Sequence, residues 1–506
     1  MPFTSATLNS NDLPCWRHGI GLIADDLTGA CDAALPFLNA GAGVWLYNQT
    51  LHQESTELRL PEASPQLSNA VLAINGASRH LDAPDILDHL KPICSALQQA
   101  GLERLYVKID STLRGPVGAF CHAIRHHWGA DLAVVVPALP SNQRQTIGGY
   151  HLVNGLPVEQ SEAGRDPRTP VVHSHISTVL KTSLPETLWP HIGHIELSTV
   201  LKGGGAVLAA LLHEHQAGKT LISIDTATPS DLETIALALE KASHKLSLVP
   251  CGSAGLASVL SRRWVETPPH DSAFTSAETC SLPAISWQGA CVGVMGSQTA
   301  LSLEQLSLLD SVEGVERIPL RSELLLGLEP LDETLTRLQQ CLVQGVVPVL
   351  TTAWPLSVVD QTLAIASEHQ LPPQAVFYRL NHTLSQLAEK LTDWALRHEL
   401  TQLTWWVSGG DTAEAIVNGM HPPTHSQHTL PLATWHVSME PRTHLPTLAG
   451  VLTRTSSQGA LQTLPIQVIT RSGNAGTSTT LHAFLSRWLC ETQGQCDLEP
   501  EMASST

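Results

Sequence analysis

Short runs of β-branched and other apolar residues, each closed by a polar or glycine-containing turn, alternate along this chain with longer stretches of helical period. That alternation admits few folds, because strands joined through helices pair in parallel and need both faces covered by those helices. In the first half the runs are Ile20 to Ala24, Val44 to Tyr47, Val71 to Ile74, Leu105 to Ile109, Leu132 to Val136, Leu221 to Ile224 and Leu246 to Val249. Helical stretches such as Asp85 to Gln99 and Asp231 to Lys241 lie between several of them. A polar segment with paired prolines interrupts the pattern at 266–287 and reads as a linker. A second alternation follows, with runs at Ala290 to Met295, Val346 to Leu350, Leu403 to Val407 and Ile466 to Ile469, and helices at Ala300 to Asp310, Leu331 to Val343 and His382 to His398. The expected class is α/β in two domains, each a mainly parallel sheet flanked by helices. The expected boundaries are 1–265 and 288–490, with a polar tail at 491–506 expected to be disordered.

Composition removes several function classes. Lys and Arg number 28 against 46 Asp and Glu, a formal net charge of −18, and no basic run appears. Such a field repels phosphate backbones, so no nucleic-acid partner is expected. With 42% hydrophobic and 15% charged residues, most of the chain must fold. No apolar stretch reaches the ~18–20 residues of a membrane-spanning helix. The segment from Met1 to Pro14 lacks the basic start and apolar core of a secretory signal. A cytoplasmic protein without membrane partners is expected, and a homodimer is compatible with that.

The ten cysteines include no C-x-x-C pair, and Cys31, Cys121, Cys291 and Cys341 sit in apolar or helical stretches. They read as reduced, buried thiols. Among the histidines, His122, His126 and His127 can share a helix face, and His213 and His215 flank Glu214. Third-ligand signatures are missing nearby, and exposed polar histidines account for both clusters.

Two familiar motifs are near misses. Gly218-Lys219-Thr220 precedes a strand, whereas a P-loop follows one and opens a helix. Cys251-Gly252-Ser253-Ala254-Gly255 resembles a nucleophile elbow with Cys in the first glycine's place. A tight strand-to-helix turn explains it better, and no Asp–His pair for Ser253 is identifiable.

Chemistry-bearing residues gather directly after apolar strands. Asp25 and Asp26 end the first run and lead into Leu27-Thr28-Gly29-Ala30-Cys31-Asp32. A helix cap explains one of Asp26 and Thr28, but two adjacent acids point to ligand hydroxyls or a general base. The string Lys108-Ile109-Asp110-Ser111-Thr112-Leu113-Arg114-Gly115 places two cations around an acid and two hydroxyls. It suits a small oxygen-rich anion gripped by Arg, and an internal salt-bridge cluster is the alternative. A proline-stiffened loop, Pro137 to Thr146, brings Arg144 toward the same pocket, and the loop from Asp166 to Pro170 can cover it.

In the second domain Gly296-Ser297, Ser408-Gly409-Gly410-Asp411-Thr412 and Arg471-Ser472-Gly473-Asn474-Ala475-Gly476 each follow an apolar strand and precede a helical stretch. Glycine lets backbone N–H groups approach phosphate oxygens at a helix N-terminus. Three such turns describe a nucleotide-polyphosphate cradle, and Asp411 can hold Mg²⁺ directly or through water.

These strings, with Gly252-Ser253-Ala254-Gly255-Leu256-Ala257 between them, occur in the order found in the four-carbon acid sugar kinase family, which the chain resembles from about Gly19 to Cys490. The resemblance implies an N-terminal sugar-acid-binding domain and a C-terminal nucleotide-binding domain. It implies ATP-dependent phosphorylation of the terminal hydroxyl of threonate, erythronate or 3-oxo-tetronate. Arg114 and Lys108 would then neutralise the carboxylate, with Arg79 and Arg144 also binding substrate, while Asp25, Asp26 and Ser111 orient hydroxyls. Ser297, Gly409, Gly410, Asp411, Thr412, Ser472, Gly473, Asn474 and Gly476 would hold ATP with Mg²⁺. The base that orients the attacking hydroxyl is one of Asp25, Asp26 and Asp110. The chain departs from the family at Asn75-Gly76-Ala77-Ser78-Arg79, where a Thr-Asp-Ser-Arg string is usual, and at Arg471, where a lysine is usual. A sensor of sugar acid or nucleotide that keeps the fold without catalysis is the alternative function.

Overall fold

The computed structural model describes residues 19–48, 70–166, 168–265, 288–297, 299–352, 357–420, 429–430, 434–439, 445–455, 461–471 and 477–493. The chain divides into two compact units, Met1–Cys280 with Ala433–Val437, and Ser281–Leu432 with Ser438–Thr506.

In the first unit, strands β1 (Ile20–Ala24), β2 (Gly43–Asn48), β3 (Ala70–Asn75), β4 (Arg104–Lys108) and β5 (Leu132–Val136) precede a small antiparallel meander. The meander is β6 (Arg144–Ile147), β7 (Tyr150–Val153) and β8 (Leu156–Pro157). Strands β9 (Ile192–Ile195), β10 (Leu221–Ile224) and β11 (Leu248–Gly252) complete the main sheet, whose order is β2-β3-β1-β4-β11-β5-β10-β9. Every pairing within that order is parallel. Helices α1 (Leu27–Asn39), α2 (Ala83–Gln99) and α3 (Val117–Trp128) are among those that cover it. Ile74, Leu90, Val107, Phe120, Cys121 and Val135 belong to one continuous core. Near-continuous burial of β1, β3 and β5 is what a sheet sandwiched between helix layers demands.

Register fixes where a ligand can sit. Ala24 at the end of β1 lies opposite Asn75 of β3 on one side and Lys108 of β4 on the other. From β1 the chain runs to β2 and β3 on one flank, then crosses to β4 on the other. Their carboxyl ends therefore splay around a topological switch point, the usual ligand crevice of an open parallel sheet. The strand Thr434–Met439 (β17) adds an antiparallel edge beside β2, pairing Thr434 to His436 with Tyr47 to Trp45.

The second unit contains β12 (Ala290–Met295), β13 (Val315–Pro319), β14 (Val347–Thr351), β15 (Leu403–Ser408), β16 (Thr429–Leu430), β18 (Pro446–Thr455) and β19 (Leu461–Arg471). The order β13-β14-β12-β15-β19 is parallel throughout, and β18 folds back antiparallel on β19. That hairpin makes β19 far longer than its apolar run, since its first half pairs only with β18. Trp406, Phe484 and Trp488 pack together in the core.

Some boundaries move for identifiable reasons. The helix expected from His382 begins at Pro373, because proline suits a first helical turn whose N–H needs no partner. The helix Thr480–Gln493 runs three residues into the expected tail. The expected linker, 266–287, and residues 494–506 lie outside the described residues. Among the described residues six cysteines are buried and outside any disulfide, whereas Cys490 is disulfide-bonded, against the expectation of reduced thiols. Among the described residues no helix is long and apolar enough to cross a membrane.

Candidate active site

At the end of β1, Asp26 takes an extended conformation and caps α1. Its Oδ1 accepts from Gly29 N at 2.7 Å and its Oδ2 from Thr28 Oγ1 at 2.9 Å. Gly29 is required here, because a Cβ would collide with Asp26 Oδ1 and crowd Lys108 Nζ. Asp26 is therefore a cap, and it is also one arm of a buried ion-pair network.

That network centres on Arg79. The backbone N–H groups of Ser78 and Arg79 donate to Asp25 O at 3.0 and 3.1 Å, stitching the β3–α2 loop onto the end of β1. Asn75 shapes the loop by accepting from Ala77 N at 2.9 Å and donating to Asn48 Oδ1 at 2.8 Å. The Arg79 guanidinium then reaches Asp25 through Nε at 2.8 Å and Nη2 at 2.9 Å, and Asp26 through Nη1. Asp110 lies 4.0 Å from Nη2.

After β4 the chain turns tightly, with Leu113 and Gly115 at φ 65° and 81°. Asp110 accepts from Arg114 Nε at 2.9 Å and Nη2 at 3.1 Å, and from the hydroxyl of Thr112. Arg114 Nη1 reaches Asp166 of the expected covering loop at 3.3 Å. Among the described residues two cations of the site form no ion pair: Lys108 Nζ donates to Ile109 O at 2.9 Å, and Arg144 Nη1 donates to Ser111 Oγ while its buried Nε has no hydrogen-bond partner.

The β6–β7 hairpin that presents Arg144 is itself anchored. Asp225, fully buried beyond β10, accepts from Gly148 N at 2.7 Å and Gly149 N at 2.9 Å in the hairpin turn. On β7, His151 Nε2 donates to Ser111 O at 2.7 Å, so its Nδ1 must accept from Thr146 Oγ1 at 3.1 Å. This fully buried imidazole is held neutral, with burial pulling its pKa down to about 4.

Charge is tightly compensated in the pocket. Burial pushes the Asp25 carboxyl up, against the opposing Arg79. Burial acts on Asp110 in the same sense, but the Arg114 and Arg79 guanidiniums hold it well below the usual carboxylate range. Burial depresses the Arg79 guanidinium less than Asp25 and Asp26 raise it. Asp32, on α1, is lifted to about 6 by burial, with Lys108 opposing and Asp26 reinforcing the shift.

In the second unit two of the three expected glycine turns, at Gly296 and Gly409, lie at level strand ends. Gly296 N donates to Ser408 O and Gly409 N to Arg471 O, both at 3.0 Å, which aligns the ends of β12, β15 and β19. A Cβ on Gly296 would overlap Thr412 Oγ1, and Gly409 holds φ 109° at the start of the helix Gly410–Gly419. Ser297 Oγ donates to Thr299 Oγ1 at 3.3 Å. Asp411 stands in that helix's first turn, and Ser408 has a buried hydroxyl without a hydrogen-bond partner. Arg471 is buried, bonded to the Gln305 side chain, and its pKa is drawn down to about 10 by burial. Ser472, Gly473, Asn474 and Gly476 lie outside the described residues.

Residues 20–260 match the family of sugar-binding N-terminal domains, and residues 292–481 match the family of nucleotide-binding C-terminal domains. Over 247 residues the chain is 35% identical to a D-threonate kinase of Bordetella bronchiseptica, covering 48% of this chain and 55% of that protein. The chain belongs to the four-carbon acid sugar kinase family. Among other members, a D-erythronate kinase of Heliobacterium modesticaldum is 36% identical over 218 residues, 42% of this chain and 46% of that protein. A 3-oxo-tetronate kinase of Methylobacterium radiotolerans is 27% identical over 403 residues, 79% of this chain and 87% of that protein. The chain spans about half the length of the first two of these relatives. Two solved structures share the fold. A Salmonella typhimurium LT2 protein matches at TM-score 0.65 and 20% identity, covering 93% of this chain and 99% of that one. A Haemophilus influenzae protein matches at 0.58 and 21%, covering 94% and 99%.

All of the candidate sugar-acid residues of this four-carbon acid sugar kinase homologue fall in the sugar-binding match and converge on the ends of β1, β3 and β4 or the β6–β7 hairpin. Sequence reasoning passed over three neighbours. Asp32 follows Thr28 by one helical turn, a spacing that places both on one face of α1. His151 follows a Gly-Gly pair between short alternating strands, which is a hairpin signal. Ser78 carries no signal of its own beyond standing next to Arg79.

Proposed function

We propose that the protein is an ATP-dependent kinase that phosphorylates the terminal hydroxyl of a four-carbon sugar acid such as threonate, erythronate or 3-oxo-tetronate. The observation that carries this reading is the knot of Asp25, Asp26, Asp110, Arg79 and Arg114 at the sheet's switch point, flanked by two cations without ion pairs, in a chain of this family. Residues 1–265 bind the sugar acid and residues 288–490 the nucleotide.

Lys108 and Arg144 are the cations best suited to a substrate carboxylate, since Arg114 is engaged at both ends by Asp110 and Asp166. Asp25, Asp26, Asp110 and Ser111 orient substrate hydroxyls. Asp32 is the acid suited to take the hydroxyl proton, because no guanidinium hydrogen-bonds it among the described residues and burial lifts its pKa to about 6. The glycine turns suit a nucleoside triphosphate: Gly296 lets the Thr412 hydroxyl pack against the end of β12, and Gly409 at φ 109° turns the chain into the helix Gly410–Gly419, whose N-terminus favours phosphate oxygens. Asp411 and the Thr412 hydroxyl are hard oxygen donors of the kind Mg²⁺ takes alongside phosphates. Mg²⁺ would supply charge neutralisation at the transferring phosphoryl group.

Calorimetric titration of the whole protein tests both halves. Sugar acid and Mg·ATP should each bind, with Asp411→Ala weakening only the nucleotide. Binding of neither ligand by the wild-type protein would refute the reading.

A further inference from the structure

Ser78 is only 1% exposed, yet among the described residues its hydroxyl has no hydrogen-bond partner. Its backbone N–H is fixed to Asp25 O at 3.0 Å, and the next residue is locked into the Arg79 network. A buried hydroxyl left unpaired destabilises a fold, and alanine at the same place would not. Ser78 lines a small cleft together with Asp25, Arg79, Arg114, Val117 and Phe120. The charged groups of that cleft are bound to one another or to Asp26, Asp110 and Asp166, and the opposite wall is apolar. Ser78 is thus the polar lining residue whose side chain is left without a bond.

We propose that Ser78 Oγ is a specificity-determining contact of the sugar-acid site, exchanging a hydrogen bond with a hydroxyl on the substrate's carbon chain. The inference rests on the sugar-acid reading given above. A hydroxyl both donates and accepts, which matches a neutral substrate hydroxyl. A carboxylate is better served by the neighbouring cations. Sites built to hydrogen-bond a substrate hydroxyl discriminate strongly against analogues that lack it.

The test compares wild type, Ser78→Ala and Ser78→Gly on threonate, 3,4-dihydroxybutanoate and 2,4-dihydroxybutanoate, following ADP release, calorimetric binding of the acid and the thermal midpoint without ligand. Removing the hydroxyl should lower kcat/KM for threonate roughly 10- to 100-fold. The loss should vanish on the analogue missing the partner hydroxyl, and KM for ATP should stay put. The midpoint of Ser78→Ala should be unchanged or higher, an outcome a structural role would not give. Equal kcat/KM in wild type and both variants, equal losses on all three acids, or a lower midpoint with unaltered kinetics would each overturn the proposal. A wild type that binds none of the acids overturns the sugar-acid reading itself. A wild type that binds them as tightly as Ser78→Ala does overturns the role of Ser78 alone.

Discussion

The guanidinium of Arg79 grips the carboxylate of Asp25 at two points, Nε to Oδ2 at 2.8 Å and Nη2 to Oδ1 at 2.9 Å, across 54 residues of sequence. Both side chains are buried, and the remaining nitrogen binds Asp26. This pair joins the ends of β1 and β3 and sets the floor on which a ligand would rest.

Removing one partner of such a pair leaves an uncompensated buried charge, which costs about 3–5 kcal/mol. Arg79→Met should therefore lower the urea midpoint more than Arg79→Lys, which keeps the charge but not the fork. The deficit should narrow as pH falls, because protonated Asp25 no longer needs a counter-charge. Tryptophan fluorescence during urea unfolding at several pH values measures both effects, and an unaltered midpoint in Arg79→Met would contradict the central place given to this pair.

Three of the cations around Asp110, namely Arg114, Lys108 and Arg144, should separate by function. Arg114 makes a two-point bond to Asp110 and a third contact to Asp166, so Arg114→Lys should lower the melting temperature and keep the preference for acid over neutral polyol. Lys108→Met and Arg144→Met should each erode that preference by roughly 10- to 100-fold, the range for a lost hydrogen bond to a charged group. Steady-state kinetics on threonate and its polyol, beside thermal melts, separates the two patterns. Loss of preference in Arg114→Lys alone would return the carboxylate to Arg114.

Asp32 titrates at about 6, lifted mainly by burial. As proton acceptor it is active when ionised, so kcat should be level above pH 7 and fall about tenfold per unit below 6. Asp32→Asn should flatten that limb and slow turnover by about 10²- to 10⁴-fold while sugar-acid binding persists. A pH–rate profile of the wild type that stays level down to pH 5 would remove Asp32 from this role.

His151 makes folding pH-dependent in a defined window. Its pKa falls from 6.5 to about 4 on burial, so between those values the unfolded chain binds a proton that the folded chain refuses. The stabilisation is complete above 6.5 and is lost as pH falls toward 4, on the order of 3 kcal/mol in all. His151→Gln should flatten stability against pH across this window, as read by urea unfolding. An equally steep dependence in the variant would assign it to other groups.

The strand ends that carry Asp25, Asp26 and Asp110 were legible because apolar runs stop there, and the period of α2 announces the helix that follows β3. The partnerships were not. Whether Arg114 faces a ligand or Asp110 depends on a turn with Leu113 at φ 65°, which no residue pattern declares. The bond from Arg79 to Asp25 depends on the β1–β3 register, and the packing of His151 on a polar meander whose short strands mimic a loop. An orphan hydroxyl such as Ser78 exists only relative to its surroundings.

The central claim is transfer of a phosphoryl group to a four-carbon acid. Phosphorus and proton NMR of the whole protein with Mg·ATP and each of threonate, erythronate and 3-oxo-tetronate tests it directly. The account predicts one phosphate ester per ADP formed with at least one of these acids, with the ester on the terminal hydroxyl carbon. Tight binding of acid and ATP with no ester formed would contradict it and leave a sensor in the kinase's place.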